Sequence, residues 1–208
     1  MKDNFALLET LDRLFGGARE SVLTLDDFLG GLQGRSYAFA ILLLDLPNCL
    51  PTGIPWLSTI TGVPMLLLLF QLFSGRPAPS LPKMIGRRGL RRGKLQDFLG
   101  RGRRHIERLE NAVHARHEWL VSGVARRLLQ IAWALNVLLL ALPVPFDNLL
   151  PAFAILFFCL ALIEDDGVMA LLGWLFSLIT VVWTIFLLIV GRTAIVAALE
   201  AVHQFLFN

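Results

Sequence analysis

Cysteine, tyrosine and charge are all scarce in this chain of 208 residues, which has two Cys, one Tyr and 17% Asp, Glu, Lys and Arg. The cysteines, Cys49 and Cys159, each lie inside an apolar segment and cannot form a metal site by themselves. They read as small buried hydrophobes, and a disulfide between them requires their two segments to touch. His105, His114, His117 and His203 follow no ligand pattern, with neither HExxH nor a Cys cluster beside them. Walker loops, GxGxxG turns and GxSxG elbows are missing as well. The stretch 86–93 is a charge repeat without the lysine and hydroxyl of a phosphate loop. No catalytic residue, metal or cofactor is therefore expected, and an enzyme is disfavoured. A secretory signal is not expected either, because residues 1–35 carry six acidic and four basic side chains rather than a basic start and a compact apolar run.

What the chain has in excess is apolar surface: 56% of its residues are hydrophobic and its mean hydropathy is +0.66. Residues 168–191 contain no charge at all, enough for a spanning helix of roughly 20 residues. The composition predicts an all-α, polytopic integral membrane protein. Five regions follow along the chain. Residues 1–35 form an amphipathic lead, with Phe5, Leu8, Leu11, Leu14 and Phe15 at helical spacing, lying on a membrane or against the bundle. Residues 36–75 form a first apolar unit, 76–127 a basic connector, and 128–167 a second apolar unit. Residues 168–208 hold a full-length apolar helix and a shorter amphipathic one.

The connector contains fourteen of the nineteen Lys and Arg residues against four acids, Asp97, Glu107, Glu110 and Glu118. That bias next to membrane segments predicts a cytoplasmic location. Contact with anionic lipid headgroups is favoured over nucleic acid. Residues 95–120 should be helical, with Phe98, Ile106, Leu109 and Val113 as an incomplete apolar stripe.

The two apolar units look like copies. The first reads Leu42-Leu43-Leu44-Asp45-Leu46-Pro47-Asn48-Cys49-Leu50-Pro51; the second reads Leu138-Leu139-Leu140-Ala141-Leu142-Pro143, then Pro145-Phe146-Asp147-Asn148-Leu149-Leu150-Pro151. Four prolines and two glycines over 47–64 make an unbroken helix there improbable. Pro47, Pro51, Pro143, Pro145 and Pro151 are thus expected to mark broken or re-entrant helices. Broken backbone in lipid must be shielded by protein or face a wet cavity, so the two breaks are expected to face each other.

Polar residues at the breaks are the candidates for chemistry. Asn48 and Asn148 each precede a proline by three residues, where an amide caps a half-helix or binds a substrate or ion. Asp45 has apolar neighbours on both sides, and an ionisable residue at such a place is a functional hypothesis by default. Burial would favour its protonated form and make proton exchange near neutral pH feasible; pairing with Arg35 or with backbone N–H groups is the structural alternative. Asp147 lies in a turn-like stretch where solvent exposure is favoured. The acidic turn Glu164-Asp165-Asp166-Gly167 would either bind a divalent cation or, more simply, neutralise arginine pairs such as Arg126-Arg127.

These motifs resemble the ExoD family: Leu46-Pro47-Asn48-x-x-Pro51, then Gly62-Val63-Pro64 with its leucine run, and the stretch from Leu142 to Pro151. The resemblance extends over about residues 20–190. It implies a bacterial inner-membrane protein linked to exopolysaccharide synthesis, and brings no catalytic residue or cofactor. Transport or conduction of a small solute or ion is the expected activity, with Asp45, Asn48, Asp147 and Asn148 along the pathway. A small pathway of this kind suits a homodimer. The rival expectations are a non-transporting scaffold or regulator of polysaccharide synthesis, and a lipid-acting enzyme. Whether the two units are inverted or parallel is left open at this level.

Overall fold

The computed structural model describes residues 7–50, 56–80, 89–113, 115–142 and 148–207. Its core is a helical bundle in which each apolar unit forms a helix, a break and a second helix. In the first unit α3 (Ser36–Asp45) is only 10 residues long, about 15 Å. Residues 36–41 are all buried, as suits a helix apolar on every side. The helix ends at the expected proline: after Asp45 the chain turns through residues 46–49.

The partner helix starts earlier than the proline pattern suggested. α4 (Leu57–Phe73) continues through Pro64 instead of beginning there. Proline removes one intrahelical donor and crowds the carbonyl four residues back, yet this helix is held along its length by packing. Met65, Leu68 and Leu69 are buried against the core, and tertiary burial overrides local propensity.

In the second unit α6 (Gly123–Ala141) ends just before Pro143, and α7 (Leu149–Glu164) resumes after Asn148. Pro51, Pro143, Pro145 and Asp147 lie outside the described residues. α8 (Gly167–Phe207) is one helix of 41 residues, joining the two helices expected over 168–208. The stretches Gly123–Ala141 and Gly167–Thr193 are long and apolar enough to cross a membrane. On α8 the large apolar side chains of Leu171, Leu175, Leu178, Val182 and Phe186 are exposed.

Three interactions set the directions of these helices. Tyr37 Oη, at the start of α3, donates to the carbonyl of Ala78, just beyond the end of α4. Asn48, after α3, is bonded to Thr61, early in α4. Gly62 of α4 lies against Ala141 at the end of α6; a Cβ at position 62 would stand 2.8 Å from the Ala141 Cβ and 2.9 Å from its Cα. Both breaks therefore sit at one end of the bundle, and the two units run in the same sense rather than inverted.

The opposite end carries the charge. Asp165 pairs with Arg126 at 3.6 Å and Asp166 with Arg116 at 3.1 Å, so the acidic turn neutralises connector arginines. Here too a small peripheral unit forms. α1 (Leu7–Phe15), β1 (Val22–Thr24) and α2 (Leu25–Gly31) pack on β2 (Gly89–Arg91) and α5 (Arg92–Ala112). The strands are antiparallel, with Leu23 opposite Leu90. Leu11, Phe15, Leu23 and Leu99 form its core. The Arg92 guanidinium donates to the carbonyls of Leu14 and Gly16, and Gln96 donates to those of Phe15 and Gly17, which satisfies the open carbonyls where α1 ends. The amphipathic lead thus docks on the connector. The connector helix stops at Ala112 rather than near residue 120; His117 takes a left-handed backbone conformation (φ 50°), and a short 3-10 turn, Glu118–Val121, leads into α6.

Candidate functional site

Asp45 is the last residue of α3 and is fully buried. Its carboxylate Oδ2 accepts a weak bond from Cys49 Sγ at 3.7 Å, and Oδ1 has no hydrogen-bond partner among the described residues. Arg35 does not pair with it: it immediately precedes α3, ten residues earlier, about 15 Å away along the axis. A helix C-terminus carries partial negative charge, so a bare carboxylate at this place is costly from two sides. Leaving a buried acceptor unpaired costs about 1–3 kcal/mol, more when it is charged.

Around Asp45 the first break is held by side chains. The Asn48 amide donates to Thr61 Oγ1 at 2.9 Å and lies 3.4 Å from the Leu44 carbonyl. Thr61 also bonds back to the Leu57 carbonyl at 3.0 Å. Asn48 thus ties α3 to α4 and does not cap α4, whose first turn follows Trp56 without a side-chain cap. Asn148 stands at the N-terminus of α7, likewise without a side-chain cap bond; its carbonyl accepts from Ala152 at 3.2 Å. It is half-buried and makes no side-chain bond to Asp45, Asn48 or Thr61 among the described residues. Pro47 lies in the turn after α3, and Pro151 is buried in the first turn of α7, where proline is tolerated.

Cys159 of α7 is fully buried in the core, with the Trp133 indole of α6 as its neighbour. Both cysteines are reduced. Trp133 is fully buried, with its indole N–H next to the Cys159 thiol.

One turn further along α6 lies a polar residue that the repeat pattern did not single out. Asn136, fully buried, donates to Ser177 Oγ of α8 at 2.7 Å and to the Ala132 carbonyl at 2.8 Å, while its Oδ1 has no partner among the described residues. Ser177, Thr180 and Thr184 are buried along the facing side of α8. The signal was present as spacing: 177, 180 and 184 share one helical face, and Asn136 interrupts an apolar helix. No group of three or more His, Cys, Asp or Glu that could hold a metal occurs among the described residues.

These features define a helical bundle with two helices long and apolar enough to cross a membrane and with several polar side chains buried among its helices. A family model described as "Exopolysaccharide synthesis, ExoD" matches residues 7–186. The chain belongs to the ExoD family, which is associated with exopolysaccharide synthesis. It is 28% identical to Protein ExoD of Rhizobium meliloti over 204 residues, covering 96% of this chain and 83% of that protein. It is also 28% identical to an uncharacterized protein of Synechocystis over 172 residues, covering 82% of this chain and 81% of the relative. No solved structure matches.

Proposed function

We propose that this protein is a multi-pass protein of the bacterial inner membrane that supports exopolysaccharide synthesis by passing protons or a small cation through its bundle. The observation that carries this reading is Asp45: a fully buried carboxylate at a helix break, with one oxygen unpartnered among the described residues. An acid placed so has either to exchange a proton or to receive a cation. Asn48 and Thr61 hold the break open beside it, and Asp147 and Asn148 belong to the equivalent break of the second unit. The basic connector faces the cytoplasm and anionic headgroups, in keeping with its excess of Lys and Arg.

The test is flux. Purified protein in liposomes with an internal pH dye should acidify or alkalinise the lumen under an imposed potential. Asp45→Asn should lower the rate at least tenfold, and Asp45→Glu should retain part of it. Wild-type protein with no more leak than empty liposomes, for protons and for alkali cations alike, would overturn the proposal.

A second reading rests on the peripheral unit. Its folded α1–α5 pair leaves Arg101, Arg103 and Arg104 exposed, a surface on which a polysaccharide synthase or regulator would dock. Under that reading, replacing these arginines abolishes polysaccharide production while Asp45→Asn has no effect; the flux reading gives the reverse.

A further inference from the structure

The two ends of the bundle differ sharply in charge. Of the nineteen Lys and Arg residues, only Arg192 lies outside residues 1–35 and the connector. Those two segments build the peripheral unit and supply the arginines paired with Asp165 and Asp166, all at one end. The stretches at the other end, 46–56 and 142–148, contain no Lys or Arg at all. A bias of this kind keeps the basic end in the cytoplasm, so the broken end faces the other way.

The depth of the first break follows from its contacts. α6 runs 19 residues away from the basic end, about 28 Å, against a hydrocarbon core of about 30 Å. Gly62 of α4 lies against Ala141, the last residue of that helix. Thr61, next to Gly62, receives the Asn48 amide at 2.9 Å, and the backbone N–H of Asn48 donates to the Asp45 carbonyl at 2.7 Å. Asp45 is thus about one helical turn from the far face of the membrane. Exposed tryptophans mark both faces. Trp56 precedes α4 at the broken end and Trp119 precedes α6 at the basic end, and Trp collects at the two membrane–water interfaces.

Cys49 links Asp45 to that surface. Its Sγ lies 3.7 Å from Asp45 Oδ2, and the residue is only half-buried. Leu50 beside it is 63% exposed.

We infer that the first break is a mouth on the extracytoplasmic face of the membrane, with Cys49 at its lip, through which Asp45 exchanges its proton or cation with that side. The inference rests on the proposed function for what is exchanged; the sidedness stands or falls separately.

The native cysteines make the test direct, because Cys159 is fully buried. Spheroplasts of a bacterium expressing the full chain, and inside-out vesicles from the same cells, are treated with a membrane-impermeant maleimide. Cys49 should react at least tenfold faster in spheroplasts, and Cys49→Ser should remove the label. In the Cys49→Ser background, Arg101→Cys on the exposed connector should show the reverse preference, and Leu50→Cys should follow Cys49. Leu50→Cys that reacts faster in inside-out vesicles, or from neither side while Arg101→Cys reacts, would overturn the sidedness. Leu50→Cys labelled from outside with Cys49 inert would overturn the mouth. Flux in liposomes forms the second arm. Maleimide on Cys49 should lower the rate at least tenfold, while Cys49→Ser, whatever its own rate, should not respond to the reagent. An unchanged rate in fully labelled protein overturns the exchange route. Outward labelling with no flux in unlabelled wild-type protein leaves the sidedness established and removes the conduction reading instead.

Discussion

Arg116 and Asp166, fifty residues apart, are joined twice over. The Arg116 Nε lies 3.1 and 3.2 Å from the two carboxylate oxygens of Asp166, and the backbone of Arg116 accepts from the N–H of Gly167 at 2.7 Å. Asp166 also accepts from the N–H of Val168 at 2.7 Å, so one buried carboxylate both starts α8 and fastens the connector to it.

Breaking that junction should be costly. Asp166→Ala removes the ion pair and the helix start together, and is expected to destabilise the protein by roughly 2–3 kcal/mol. The figure lies below the roughly 3–5 kcal/mol of a fully buried pair because Arg116 is partly exposed. Asp166→Asn keeps the bond to Val168 and should lose about half as much. Thermal unfolding in detergent measures both, and equal losses for the two variants would contradict the dual role.

At the other end of the bundle, Gly62 permits α4 to approach α6. Gly62→Ala places a methyl group 2.8 Å from the Ala141 Cβ and 2.9 Å from its Cα, which the backbones must relieve by moving apart. A loss of about 1–3 kcal/mol is expected. Ala141→Gly should rescue it only in part, since the new methyl still presses on the backbone of residue 141. Full rescue in the double variant would show that side chains alone set the spacing.

The bond between Asn48 and Thr61 is separable from shape. Thr61→Val keeps the volume and branching but takes away the oxygen that receives the Asn48 amide, with an expected cost of about 1–3 kcal/mol. Thr61→Ser should restore most of it. If valine is as stable as threonine, the amide has another partner and the break is not held at this point.

Arg92 clamps the peripheral unit through its Nη1, which donates to two carbonyls. Arg92→Met keeps an apolar stem but removes both donors. Amide exchange over residues 7–24 should then be about tenfold faster, equivalent to about 1.4 kcal/mol, while the bundle helices exchange as before. Acceleration throughout the chain would mean that the peripheral unit is not a separate cooperative piece.

Much of the bundle was legible because apolar runs and proline are strong local signals. The ends of α3 and α6 fall where Pro47 and Pro143 predict, and the buried Asp45 was visible as a charge among leucines. Other features were hidden because they are set by partners distant in sequence. Pro64 reads as a helix start until Met65, Leu68 and Leu69 are seen packed in the core, and nothing local shows that residues 22–24 pair with 89–91. Capping by Asn48 and Asn148 followed from their place before prolines, yet the Asn48 amide is taken by Thr61, thirteen residues on, and Asn148 makes no side-chain cap. Asn136 stands two residues before the second leucine run, outside the repeated motif, and its importance shows only through its bond to Ser177, forty-one residues on.

The pairing of Val22 with Arg91 has a consequence for biosynthesis. It closes a ring of chain around the whole first unit, so the ring cannot shut until translation has passed residue 91. α3 and α4 must then be settled in their final surroundings while both flanks are still loose. Premature closure would trap the unit outside, which makes the short, three-residue strands an advantage: they are too weak to form ahead of the helices they enclose.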